Sequence, residues 1–150
     1  MAMDNHKICF ITCVNNEKFY EESLLYLKVL NTVDMQVDFF AVCGADAMAE
    51  GYEYAMQHSD AKYKIYLHQD FFLPKKNAIE IIIRLFQKNP DIGVLGLAGG
   101  KTLPASLCWN QSEVKYGCVA HALANEYTAV SEYGKIPGEY VSVEAVDGMF

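Results

Sequence analysis

The sequence predicts an α/β domain built on a mostly parallel sheet with helices packed over it. Three observations point there. Apolar runs alternate with helix-spaced segments between residues 7 and 100, in the order strand, helix, strand, helix, strand, helix, strand. The first of these runs is nearly continuous in apolar residues, as in a strand buried on both faces. The runs end abruptly in polar or glycine-rich residues, the punctuation of βα units joined by crossover helices.

Residues 7–14 read as the first strand, stopped by Asn15 and Asn16. Residues 17–30 carry helical spacing, with Tyr20, Leu24, Leu27 and Asn31 in one stripe and Leu25 and Val29 beside it. Asn16 is placed to cap this helix, and Glu17, Glu21 and Glu22 suit its early turns. Residues 36–43 form a second strand ended by Gly44, and residues 46–58 a second helix of small and aromatic residues. Residues 63–68 alternate and make strand three. Residues 75–87 form an isoleucine-rich helix with Ile79, Ile82, Ile83 and Phe86 inward, broken by Asn89, Pro90 and Asp91. Residues 92–100 read as strand four. Beyond it the pattern changes to a loop around Trp109 and short β-like pieces at 114–119 and 140–146.

With 150 residues, the chain is long enough for one domain with a real core and short for two. Hydrophobic residues make up 52% and charged ones 21%, so the chain folds. The net charge of −7 excludes a nucleic-acid backbone as the main partner, though not one small polyphosphate ligand. No apolar run is long enough to span a bilayer, and residues 1–6 do not read as a signal peptide. Cys9, Cys13, Cys43, Cys108 and Cys118 are odd in number and lack a CxxC pair, which fits a reduced, cytoplasmic protein with buried thiols. The apolar stretch around Val146 and Phe150 reads as a chain cut within an element, with an edge that would favour self-association.

In open parallel sheets, ligands bind beyond the carboxyl ends of the strands. Those ends carry Asn15 and Asn16, then Gly44, Ala45 and Asp46, then His68, Gln69 and Asp70, then Gly99, Gly100 and Lys101. Asp70 follows an apolar strand, where a carboxylate can hold a divalent cation or cap the next turn. Asn15 and Asn16 can hydrogen-bond a base or ribose, although helix capping alone would account for Asn16. Gly99 and Gly100 allow close approach of backbone to a ligand, or a simple turn. Trp109, the one tryptophan, can stack on a sugar or base or fill the core. Asp147, before Gly148, is a second acid after an apolar segment.

Three of these motifs together carry a resemblance. Val14, Asn15, Asn16 and Glu17 after strand one, Leu67, His68, Gln69 and Asp70 after strand three, and Val146, Asp147 and Gly148 resemble the GT-A nucleotide-sugar glycosyltransferases. More narrowly, nearly the whole chain is similar to the glycosyltransferase-like family named after a streptomycin-biosynthesis protein. The resemblance implies a Rossmann-like GT-A three-layer sandwich with a mostly parallel central sheet. It implies a single domain over 1–150, with a donor-binding half at 1–100 and the start of an acceptor-side region at 101–150. It implies transfer of a sugar from a nucleoside diphosphate sugar to a hydroxyl of an unidentified acceptor. Asp70 then matches the last acid of the DxD motif and reaches a Mg²⁺ or Mn²⁺ ion, with His68 in the place of the first acid. Asn15, Asn16, Gly44, His68, Gln69 and Trp109 fall to donor and substrate binding, and Asp147 to the acceptor side as the candidate base.

Two other readings stay open at this point. One is a non-catalytic nucleotide-sugar-binding module of the same fold. The other is a receiver-like phosphoacceptor domain, which also has an Asp after strand three. That class needs an acidic cluster after strand one, where this chain has Asn15 and Asn16.

Overall fold

The computed structural model describes residues 2–122 and 128–147. They form two compact units, residues 2–91 and 92–147. The chain is a mixed α/β protein, and among the described residues its three helices and its parallel sheet lie in the first unit.

The first unit runs β1 (Asp4–Val14), α1 (Glu17–Leu27), β2 (Gln36–Cys43), α2 (Met48–His58), β3 (Ala61–His68) and α3 (Ala78–Lys88). Its sheet has the order β2-β1-β3, and both ladders are parallel. The central position of β1 explains its apolar run, since Ile8 through Thr12 are all buried against neighbours on both sides. Successive side chains point to opposite faces. Ile8 and Phe10 join Leu27, Leu30, Leu67, Ile79 and Ile83 in one core cluster. Cys9 and Ile11 join Ala55 and Ala61 in the other, flanked by Tyr52 and Tyr66. Helices α1 and α3 therefore contribute to one face of the sheet and α2 to the other.

The sequence expectations for the helices need two adjustments. The inner face of α1 is carried by Ser23 and Leu27, which turns Leu25 and Val29 outward to solvent. In α3 the buried positions are Ala78, Ile79, Ile83 and Leu85, with Ile82 and Phe86 half-buried. Asn89 closes α3 by donating both its backbone N–H and its side-chain amide to the Leu85 carbonyl, and Pro90, which has no N–H to give, ends the ladder.

The second unit holds β4 (Ala98–Gly100), a 3-10 turn (Trp109–Gln111), β5 (Lys115–Ala122), β6 (Thr128–Glu132) and β7 (Ala145–Val146). These strands are antiparallel in the order β6-β5-β4-β7. This corrects the expectation of a fourth parallel strand over 92–100. Only Ala98–Gly100 is strand, and an apolar run does not encode the direction of its neighbours. The β-like piece at 140–146 shrinks likewise to Ala145–Val146. Gly99 and Gly100 admit their own chain rather than a ligand: a Cβ on Gly99 would strike the Ala145 carbonyl, and one on Gly100 would lie 2.8 Å from Ser112 Cβ. Gly117, at φ +115, packs against the Leu97 carbonyl, so only glycine fits there.

All five cysteines are free, and Cys9 alone is buried. Cys13 is half-buried, while Cys43, Cys108 and Cys118 are exposed, so the expected burial of the thiols does not hold for them. Among the described residues, no helix is long and apolar enough to cross a membrane.

Lys7 ties the three strands at their amino ends, 2.9 Å from Asp60 and 3.4 Å from Asp38. The hydrogen bond from Lys7 holds the Asp60 carboxyl below its ordinary range, against a smaller opposing effect of burial. A depressed carboxyl stabilises the fold above its unfolded pKa, and that contribution is lost as pH falls through the folded one. The melting temperatures of the wild type and Asp60→Asn are therefore expected to differ at neutral pH and to converge below about pH 4. Thermal melts across that range check it, and a difference unchanged at low pH would contradict it.

Candidate functional site

Parallel pairing brings the carboxyl ends of β1, β2 and β3 to one edge. Val14 stands opposite Cys43, and Cys13 opposite His68. The chain leaves β1 for β2 on one side and returns to β3 on the other, so the connections diverge at this edge. A cleft of about 350 Å³ opens there, and its lining includes Asn15, Gly44, Asp46, His68 and Gln69. This volume lies at the small end of the range for small-molecule sites.

Gln69 joins two of the strand ends. Its Oε1 accepts the backbone N–H groups of Asn15 (2.9 Å) and Asn16 (2.8 Å), and its Nε2 donates to Asn15 Oδ1 at 2.6 Å. Asn16 caps α1, its Oδ1 accepting the Lys18 N–H at 3.2 Å. The carbonyl of His68 accepts the Phe71 N–H, forming the turn that carries Gln69 and Asp70. Ser23 Oγ donates to the Phe71 carbonyl at 2.8 Å and ties this turn to α1. Asp70 is exposed and sits one residue beyond the lining of the cleft.

The wall opposite is the start of α2. Gly44 turns the chain out of β2 at φ +73, a left-handed conformation that favours glycine. Ala47 precedes the helix without a side-chain cap, and Asp46, Ala47 and Met48 line the cleft. The helix sits low over the sheet because Gly51 faces Cys13, whose Sγ also donates to the Met48 carbonyl. A Cβ on Gly51 would lie 2.6 Å from that sulfur. Gly51→Ala gains about 1 kcal/mol of helix propensity. The overlap costs about 1–3 kcal/mol. The expected result is a net loss of stability that Cys13→Ala relieves in the double variant. Denaturant melts of the double-mutant cycle measure it, and strict additivity would show that the two sites do not meet.

Tyr52 ties α2 to β3. Its hydroxyl donates to the Leu67 carbonyl at 3.0 Å, and its ring meets Tyr66 edge-on with centroids 5.2 Å apart. Burial, with a smaller effect of Cys13, pushes the Tyr52 hydroxyl up to about 12, so it stays a neutral donor.

The other two predicted site residues lie in the second unit. Trp109 is half-buried and meets Tyr133 edge-on with centroids 5.5 Å apart. Asp147 is half-buried, and its N–H donates to the Ala98 carbonyl at 2.8 Å. Gly148, the last residue of that motif, lies outside the described residues, as do Met149 and Phe150.

Among the described residues, no group of three or more His, Cys, Asp or Glu side chains could hold a metal ion. The described residues therefore do not by themselves build a cage made wholly of protein. Asp70 offers a carboxylate, a donor that fits Mg²⁺ or Mn²⁺ when phosphate oxygens and water complete the shell, whereas an imidazole such as that of His68 does not suit Mg²⁺.

The cleft thus gathers Asn15, Gly44, His68 and Gln69, with Asn16 beside it. It also includes Cys13 and Met48, which the sequence reading did not select, and Asp46, which it placed at the end of the second strand without assigning it a role. Asp46 was visible as the acid between the turn at Gly44 and the next helix. A scan against family models matches residues 9–150 to a glycosyltransferase-like family, and the chain belongs to that family. No curated protein and no solved structure matches the chain.

Proposed function

We propose that this protein is a glycosyltransferase that binds a nucleoside diphosphate sugar in the cleft at the carboxyl ends of β1, β2 and β3. The observation that carries the reading is the meeting of Asn15, Gly44, His68 and Gln69 around one cleft, in a member of a glycosyltransferase-like family. Asn15 hydrogen-bonds the donor. The diphosphate lies toward the start of α2, where backbone N–H groups carry no side-chain cap and the helix dipole favours an anion. Asp70 would hold Mg²⁺ or Mn²⁺, with His68 beside it on the donor. Such an ion supplies Lewis-acid stabilisation of the leaving diphosphate.

In the reaction, the bond between the anomeric carbon and the diphosphate oxygen breaks. A bond from the acceptor oxygen to that carbon forms. The acceptor proton passes to a carboxylate base; the candidate for it from the sequence is Asp147, in the second unit. Trp109 offers a ring face for a sugar.

Isothermal titration calorimetry with nucleoside diphosphates and nucleotide sugars, with and without Mn²⁺, tests the reading. Metal-dependent binding of one nucleotide is the expected result, followed by transfer to a hydroxyl acceptor. Binding without any transfer would favour the non-catalytic module. No binding by a folded sample would overturn the donor site.

A further inference from the structure

The cleft, taken as the donor site, contains a relay of hydrogen bonds whose direction the backbone dictates. A backbone N–H can only donate. The Gln69 atom that meets the N–H groups of Asn15 and Asn16 must therefore be its carbonyl oxygen. The Gln69 amide nitrogen is then turned to the Asn15 side chain, which must answer with its own oxygen. What remains at the other corner of the Asn15 amide is Nδ2, with hydrogens to give and no lone pair to receive. Asn15 is exposed and lines the cleft. Two backbone groups thus set the polarity of a cleft side chain through a glutamine 54 residues away in sequence.

We propose that Gln69 is a positioning residue that holds Asn15 with Nδ2 available to the ligand, so that the ligand atom recognised there is an oxygen acceptor. This rests on the donor-site reading for its ligand but not for its geometry. The oxygen belongs either to a carbonyl of the base, for which pyrimidines serve as the probe, or to the diphosphate.

Gln69→Glu reverses the relay. One carboxylate oxygen still accepts the two backbone N–H groups. The other has no hydrogen to offer, so Asn15 turns its amide over, donates through Nδ2 and shows Oδ1 to the ligand. Nuclear magnetic resonance on the ¹⁵N-labelled full chain reads this without ligand. The Asn15 side-chain NH₂ signals are expected to move downfield and exchange more slowly in Gln69→Glu, while the backbone N–H groups of Asn15 and Asn16 stay protected. Unchanged Asn15 signals would overturn the relay.

Calorimetry with UDP, CDP and pyrophosphate then identifies the oxygen. UDP and CDP differ at pyrimidine position 4 by a carbonyl against an amino group. If the base is read at the position-2 carbonyl that both share, Asn15→Ala weakens both nucleotides alike and leaves pyrophosphate unchanged; if it is read at position 4, the preference for UDP falls about tenfold in Gln69→Glu. Asn15→Asp, which keeps the bond from Gln69 and removes the donor, is expected to act the same way and stands in if Gln69→Glu does not fold. If phosphate is read, the ratio holds and the uncharged variant Asn15→Ala weakens pyrophosphate about tenfold. Asn15→Ala without effect on any of the three ligands would overturn the proposal. A wild type that binds none of them would overturn the donor site instead, while the resonance experiment still decides the relay.

Discussion

Asp70→Asn is expected to remove the metal dependence of donor binding. The substitution keeps the size of the side chain and takes away the charge that would bind the cation. Outer-sphere partners of metal ligands are typically worth about ten- to a hundredfold in affinity, so losing a direct carboxylate ligand should cost at least about a hundredfold. Calorimetry of the preferred nucleotide with and without Mn²⁺ measures it. The paired control is Asp46→Asn, because Asp46 lines the cleft and Asp70 does not. Relief of charge at the start of α2 should leave anion binding intact or improve it in that variant. Metal dependence lost in Asp46→Asn and kept in Asp70→Asn would move the metal to the other acid.

Phe10→Ala is expected to be the most damaging single truncation among the core positions. Phe10 is 1% exposed, stacks on Phe39 with centroids 5.6 Å apart, and lies in register with Phe39 on one side and Ile65 on the other. Removing a buried phenyl ring costs about 3–5 kcal/mol through lost burial and the cavity left behind. Against a typical total of about 5–15 kcal/mol, that approaches unfolding. Urea melts should show a large drop in midpoint for Phe10→Ala and a change under about 0.5 kcal/mol for the outward-facing Leu25→Ala. A small effect at Phe10 would mean that the cluster repacks around the loss.

What was legible in the sequence followed from periodicity. The run ending at Val14 and the isoleucine face of α3 report burial, and burial is what hydrophobic spacing records, while the edge strand over 36–43 is at most half-buried. Direction was not legible. Residues 92–100 are as apolar as a parallel strand, yet the antiparallel neighbours of Gly99 come from chain far downstream, at Tyr116 and Val146. The strand ends were readable as polar punctuation, and three of them do share one cleft. The bonds of Gln69 were hidden, because they cross to residues 53 and 54 positions earlier and depend on the register of β1 with β3. The packing of Gly51 on Cys13 was hidden for the same reason. An isolated helical glycine does not announce what lies beneath it.

The middle place of β1 has a consequence for how long each wall of the cleft lives. Each β1 amide donates to one neighbour, but successive amides alternate between β2 and β3, so freeing the strand requires opening a ladder on each side, whereas β2 and β3, among the described residues, each have β1 as their one partner in the sheet. Protection in native-state proteins follows such differences in opening free energy. Amides of residues 8–12 should be the last to take up deuterium, and those toward the end of β3 should open sooner. Asn15 would then sit at the end of the slowest-opening segment, with Gln69 on a faster one. A ligand that bridges them would slow the faster wall, so deuterium uptake around Gln69 should report occupancy of the cleft even where no residue visibly moves.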